Sequence, residues 1–351
     1  MKLKCRTCLR EYSDDNKIWQ CECGGLLDII GRNSFDPNKI NKTDNSIWRY
    51  HQFLPVSSNA IISLGEGMTP IIQETGNLFF KLDYISPTGS FKDRGASVLV
   101  SKMKELGIRE ALEDSSGNAG KAIAAYCGKA DIECQIVVPQ STSDSKITNI
   151  KNTGANVKII DGNREKAALE ARKLAEYKFY ASHCWNPYFL QGTKTIAYEI
   201  YEQLQELPDR IIVPVGNGTL ILGIYIGLMD LKDSRLIDKI PEIMGTQANL
   251  CAPLVNHYRA SNNTINSEDY STTLASGICV ARPIRGKQIL EYINKFDGKL
   301  VAISEDEIFE SFNILQKKGY IIEPTAAVGY AAYRQCFNDQ KTTLIILTGR
   351  N

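Results

Sequence analysis

An open α/β fold with mostly parallel sheets is what this sequence predicts, on two observations. From about Leu64 onward, short apolar runs alternate with stretches of helical periodicity, the pattern of buried parallel strands joined by crossover helices. Polar loops rich in glycine and serine follow particular strands, where open sheets collect ligands. Strands are expected at 78–82, 134–138, 157–160, 210–215, 242–246 and 343–347. Helices are expected at 93–106, 119–129, 164–178, 192–204, 219–231 and 305–319, with another at 325–333 before the last strand.

The 351 residues suit two ordinary domains or one large α/β unit. With 41 Lys+Arg against 40 Asp+Glu, the formal net charge of +1 gives no pull towards nucleic acid. The most apolar stretch, 220–231, is short and interrupted by Gly223, Gly227 and Asp230, so no membrane span is expected. A polar, cysteine-bearing start lacks the apolar core of a signal peptide.

Four of the ten cysteines fall within the first 23 residues. Cys5 and Cys8, then twelve residues, then Cys21 and Cys23 place two thiol pairs a hairpin apart. Two such knuckles can supply four thiolates to one tetrahedral zinc, though C-x-C is tighter than the usual C-x-x-C. Free thiols packed without metal are the alternative. Nothing near them offers an open coordination site with an acid or base beside it, so a metal there would be structural. Cys127, Cys134, Cys184, Cys251, Cys279 and Cys336 stand singly in apolar contexts. They suit a reducing compartment, hence the cytoplasm. The polar stretch 31–46 reads as a linker.

Three loops carry the chemistry. In the first, 87–95 (PTGSFKDRG), Ser90 followed by Asp93 has the spacing of a helix N-cap. That puts Lys92 in the first turn, where the helix dipole disfavours its ammonium form and readies the amine for a carbonyl. In the second, Ser115, Ser116, Gly117, Asn118, Ala119 and Gly120 precede an apolar helix. Hydroxyls and backbone N–H groups at a helix start make an anion site. In the third, Gly216, Asn217, Gly218 and Thr219 lie between RIIVPV and another apolar helix, a place for a phosphate. The glycine spacing there misses the dinucleotide fingerprint, and Gln247 stands where that fingerprint expects an acid. Each loop alone also reads as ordinary capping. Together, an amine, a carboxylate cradle and a phosphate cradle suit pyridoxal phosphate and an amino-acid substrate.

These motifs resemble those of the threonine synthases, pyridoxal-phosphate enzymes of fold type II related to the tryptophan synthase β chain. PTGSFKDRG resembles their Schiff-base lysine motif, SSGNAG their substrate-carboxylate loop and PVGNGT their cofactor-phosphate loop. GEGMTP (65–70), CECGGLL (21–27), IIEPTAAVG (321–329) and LTG (347–349) fall in the family's order. The likeness covers nearly the whole chain.

It implies two open, twisted, mostly parallel sheets flanked by helices, with a short N-terminal cysteine ribbon. The expected division is a ribbon at 1–35, a large cofactor domain at 36–94 plus 186–351, and a small mobile domain at 95–185. The resemblance further implies that Lys92 holds the cofactor and shuttles protons, and that Asn118 bonds its phenolic oxygen. Ser115, Ser116, Gly117 and Ala119 would surround the substrate carboxylate. Gly216, Asn217, Gly218 and Thr219 would bind the cofactor phosphate, and Thr348 would meet the pyridine nitrogen. The implied reaction turns O-phosphohomoserine and water into L-threonine and phosphate, in a cytoplasmic homodimer with no nucleic-acid or membrane partner.

Two departures bear on the substrate. The family motif N-S-V-N-P-x-R-x-x-G-Q-K-T carries an arginine for the substrate phosphate. Phe189 stands in its place, with Lys194, His183, Arg164 and Arg350 as basic alternatives. The chain also closes on TGRN instead of T-G-x-G. An aromatic cannot make the bidentate contact a phosphate favours. A threonine/serine ammonia-lyase, or a β-replacement enzyme like cysteate synthase, is the alternative. An arginine restored at 189 is expected to raise phosphohomoserine turnover if the lost contact limits it. A zinc-ribbon nucleic-acid module on an inactive body is disfavoured by the balanced charge.

Overall fold

Among the described residues, two sheets carry the alternation read from the sequence, and a third, small sheet forms the N-terminal ribbon. The computed structural model describes residues 1–31, 34–260, 270–336 and 340–350. The strands are β1 (Lys2–Cys5), β2 (Glu11–Ser13), β3 (Leu27–Ile30), β4 (Ile71–Thr75), β5 (Leu78–Lys81), β6 (Glu110–Glu113) and β7 (Glu133–Pro139). They continue with β8 (Asn156–Ile160), β9 (Phe179–Tyr180), β10 (Arg210–Pro214), β11 (Glu242–Ala248), β12 (Lys299–Ile303) and β13 (Thr343–Ile346). The helices are α1 (Lys92–Glu105), α2 (Asn118–Lys129), α3 (Asp144–Lys151), α4 (Arg164–Leu174), α5 (Pro187–Thr193) and α6 (Thr195–Leu204). After them come α7 (Thr219–Asp233), α8 (Pro253–Ala260), α9 (Gly286–Lys295), α10 (Glu305–Lys317) and α11 (Pro324–Gln335). Within the expected linker, residues 32 and 33 lie outside the described residues, as does Asn351 of the closing TGRN.

The chain divides into two compact units, Met1–Gly67 with Lys92–Thr195 and Met68–Phe91 with Ile196–Asn351. These boundaries differ from the expected ones: the ribbon, residues 36–67 and the helix that Lys92 begins group with 95–185. Packing explains it. Gly95 of α1 lies under the Phe189 ring, where a Cβ would come within 2.3 Å, and a Cβ on Gly192 would come within 1.9 Å of the Arg94 carbonyl oxygen. Small residues at this crossing seat α1 against α5 in one core.

The first unit holds a four-stranded parallel sheet, β8-β7-β6-β9, and the antiparallel ribbon β2-β1-β3. β6 and β9 contribute few apolar residues, so periodicity does not reveal them. The second unit holds the six-stranded sheet β12-β11-β10-β13-β5-β4, parallel except for β4 at its edge. β10 and β13 are buried along their whole length, which is why they read as continuous apolar runs. α7 is buried almost all round. No helix among the described residues is long and apolar enough to cross a membrane.

The helix expected at 192–204 is two helices. Asn186 caps α5 by accepting from the Tyr188 N–H, with Pro187 at the first position, a legible start signal. The break follows from side chains competing for the backbone: Thr193 Oγ1 donates to the Leu190 carbonyl (3.2 Å) and Thr195 Oγ1 to that of Gly192 (2.7 Å).

Candidate active site

Lys92 is the first residue of α1 and is half-buried. Its position is set from before and after. In the second unit, the Phe91 N–H donates to the Thr348 carbonyl (3.0 Å), and Ser90 forms an isolated bridge with Gly349. In the first unit, Asp93 and Arg94 are fully buried, and Arg94 Nη1 donates to Thr195 Oγ1 at 3.2 Å. The Ser90 side chain does not act as the cap that its spacing suggested. Its Oγ is buried without a hydrogen-bond partner among the described residues.

Residues 114–118 link β6 to α2. Gly117 is the N-cap of α2, in extended conformation, and no side chain caps the helix. The Gly117 N–H donates to Ser115 Oγ (3.3 Å). An uncapped helix start is where an anion is best received. The Ser115 carbonyl lies so close to Gly120 that a Cβ there would come within 1.8 Å of it. A backbone oxygen cannot move aside as a side chain would. Gly120→Ala is therefore expected to displace the Ser115–Asn118 turn and raise the substrate KM at least tenfold, about 1.4 kcal/mol. Steady-state kinetics checks this, and an unchanged KM would remove the loop from substrate binding.

Behind this loop lies a pair that no sequence motif marks. His183 Nδ1 is 2.9 Å from Glu113 Oε1, the His183 backbone N–H donates to Oε2 (2.9 Å), and Nε2 lies 3.1 Å from Cys184 Sγ. The parallel pairing of β6 with β9 brings together residues 70 apart in sequence. Burial pushes Glu113 up to about 8 from 4.5. Burial, with Lys92 adding to it, pushes His183 down to about 3 from 6.5. At neutral pH the carboxyl is thus protonated and donates to Nδ1, while the neutral imidazole carries its own proton on Nε2, facing Cys184 Sγ. His183, one of the basic alternatives for the phosphate, is instead a satisfied, neutral polar residue and offers it no positive charge. Burial and then Glu113 also raise Asp114.

The sign of the pH dependence follows. Glu113, raised in the folded state, gives stability that is present below about 4.5 and lost as pH rises through about 8. Depressed His183 gives stability that is lost as pH falls from about 6.5 through about 3. The two slopes cancel between about 4.5 and 6.5, and the carboxyl alone acts from there to about 8. Thermal melts across this range are expected to show a decline from pH 6.5 to 8 that Glu113→Gln flattens. An unchanged decline in that variant would assign it elsewhere.

In the second unit, Gly218 caps α7 in the left-handed region (φ +84) with no side-chain cap, and Thr219 opens the helix. A Cβ on Gly216 would lie 3.1 Å from the Ile278 Cα, so the 216–219 turn is built around close backbone approach. Thr348 is 3% exposed, and its Oγ1 has no hydrogen-bond partner among the described residues. An orphaned buried hydroxyl is costly unless a ligand pairs with it. Pyridoxal phosphate fits this residue set. Its ring nitrogen would accept from Thr348, and the start of α7 would take its phosphate.

The description "Pyridoxal-phosphate dependent enzyme" belongs to the family that matches residues 62–349. The threonine synthase of Methanocaldococcus jannaschii is 33% identical, over 97% of this chain and 88% of that protein. The chain belongs to the threonine synthase family of pyridoxal-phosphate enzymes. A second threonine synthase, from Methanosarcina acetivorans, is also 33% identical, over 99% of this chain and 91% of its own length. A fungal L-serine ammonia-lyase from Rhizomucor miehei aligns with a TM-score of 0.72 at 21% identity, covering 81% of this chain and 94% of that one. That likeness shows the fold type II architecture.

Within the threonine synthase family, the departure at Phe189 now has a location. The ring is wholly buried, packed on Gly95 and 5.8 Å from the His183 ring. Lys194, one basic alternative, is also wholly buried and donates to the Phe53 carbonyl (2.9 Å), so it is committed to structure. Arg164 and Arg350 are exposed, and Arg350 lies over Gly89 of the Lys92 loop, within the second unit. The four N-terminal thiols converge, all sulfurs lying within 4.8 Å of one another, a group able to hold a metal ion.

Proposed function

We infer that this enzyme converts O-phosphohomoserine and water into L-threonine and phosphate. The likeness to threonine synthases along 97% of the chain carries this reading. When bound, pyridoxal phosphate supplies an electron sink that acidifies carbon-bound protons of the substrate. Lys92 holds the cofactor and is the base that takes the proton at Cα and then one at Cβ. Phosphate leaves from Cγ, the two protons return to Cγ and Cα, and water adds its hydroxyl at Cβ, its remaining proton going to the released phosphate. Ser115, Ser116, Gly117 and Ala119 receive the substrate carboxylate. Asn118 orients the cofactor, and Gly216, Asn217, Gly218 and Thr219 hold its phosphate. Thr348 presents a neutral hydroxyl to the ring nitrogen and leaves it unprotonated, which suits elimination and replacement.

The cytoplasm and a homodimer belong to the same proposal. Ten cysteines with no disulfide among them suit a reducing compartment, and light scattering tests the dimer. The buried Phe189 favours a second reading, an ammonia-lyase or a β-replacement enzyme. One panel decides: the protein is incubated with phosphohomoserine, phosphoserine, threonine and serine, and scored for phosphate, ammonia and new amino acid. Phosphate and threonine from phosphohomoserine are expected. Ammonia from threonine or serine, without phosphate release, would assign the lyase.

A further inference from the structure

The cysteine cluster has a built geometry of its own. Cys5 and Cys23 sulfurs are 3.5 Å apart, as are those of Cys8 and Cys21. Four thiolates at Zn–S distances of about 2.3 Å sit about 3.8 Å apart around a tetrahedron. The Thr7 and Cys8 N–H groups donate to Cys5 Sγ (3.3 and 3.4 Å), and Tyr12 Oη lies 3.1 Å from Cys21 Sγ. Such donors orient and stabilise sulfur ligands. The tight C-x-C spacing is accommodated by glycine. Gly24 adopts φ +81, and a Cβ on Gly25 would come within 2.6 Å of Cys5 Sγ.

Residues 9–20 form the loop between Cys8 and Cys21, and that loop bears on the rest of its unit. The Asp14 carbonyl accepts from Tyr188 Oη (3.1 Å), and its carboxylate lies 4.0 Å from Lys102 Nζ. Trp19 meets Tyr180 and Trp185 edge-on, at 4.9 and 5.6 Å between centroids. Tyr180, Trp185 and Tyr188 lie in the same segment, 180–189, as His183, Cys184 and Phe189.

We propose that Cys5, Cys8, Cys21 and Cys23 bind one zinc ion, which closes loop 9–20 and thereby clamps segment 180–189 through Asp14 and Trp19. The metal takes no part in the reaction. It sets the order of the wall that contains Phe189 and the His183–Glu113 pair. The proposal is independent of which amino acid the enzyme takes.

Metal analysis and hydrogen exchange on the full-length holoprotein test it. One zinc per chain is expected, released by a mercurial reagent. Stripping is expected to speed amide exchange across 180–189 about tenfold or more, while β10 and β13 keep their protection. Trp19→Ala separates the clamp from the fold of the ribbon: zinc is retained, yet exchange across 180–189 still rises. Protein isolated under reducing conditions with no bound metal, or with the four thiols paired as disulfides, overturns the site. Zinc present but exchange unchanged, on stripping or in Trp19→Ala, overturns the clamp.

Discussion

Lys92→Ala is expected to lower threonine formation from phosphohomoserine by about three orders of magnitude, the middle of the range for removing a positioned base. The fold should survive. Lys92 is the half-buried first residue of α1, and alanine is the best helix former. The core beneath it rests on Asp93, Arg94 and Gly95, which the substitution leaves untouched. The variant should therefore melt within a few degrees of the parent while losing turnover. Borohydride should fix pyridoxal phosphate to the parent and not to the variant. More than about 1% residual activity would move proton transfer to another residue.

Phe189→Arg is expected to cost about 3–5 kcal/mol of stability, the range for an unpaired buried charge. From sequence, this substitution promised to restore the family's phosphate contact and raise turnover. Burial reverses the expectation. The ring fills the crossing of α1 and α5 against Gly95, and its polar neighbour His183 is already satisfied by Glu113. A guanidinium there meets apolar walls and a pair with no net charge. Melting is expected to fall by roughly 10 °C, without gain in phosphate release. A variant of parental stability with faster phosphohomoserine turnover would show that the wall opens to admit arginine. Leu at 189 is the control, since it keeps the core apolar; it should lose only about 1–2 kcal/mol.

Much of the site was legible because its chemistry is local. A lysine two residues after Ser90, the run SSGNAG and the turn VGNGT are contiguous segments. Their demands on dipole, donor direction and glycine conformation are written in neighbouring residues. The long buried strands of the second unit were legible for the same reason. Less legible were β6, β9 and the Glu113–His183 pair. Two short strands must be placed side by side before an acid and a histidine 70 positions apart become partners.

By itself the sequence determined the fold class and the pyridoxal-phosphate family, and it supplied the proposal of which residues hold the cofactor, because each rests on short-range pattern and residue chemistry. Tertiary structure alone decided which side chains remain available. It retired Ser90 as a cap and committed Lys194 to the Phe53 carbonyl. It made His183 neutral and placed Phe189 inside a core. Burial and partnership are properties of the packed chain, and they set charge and access that no spacing along the sequence encodes.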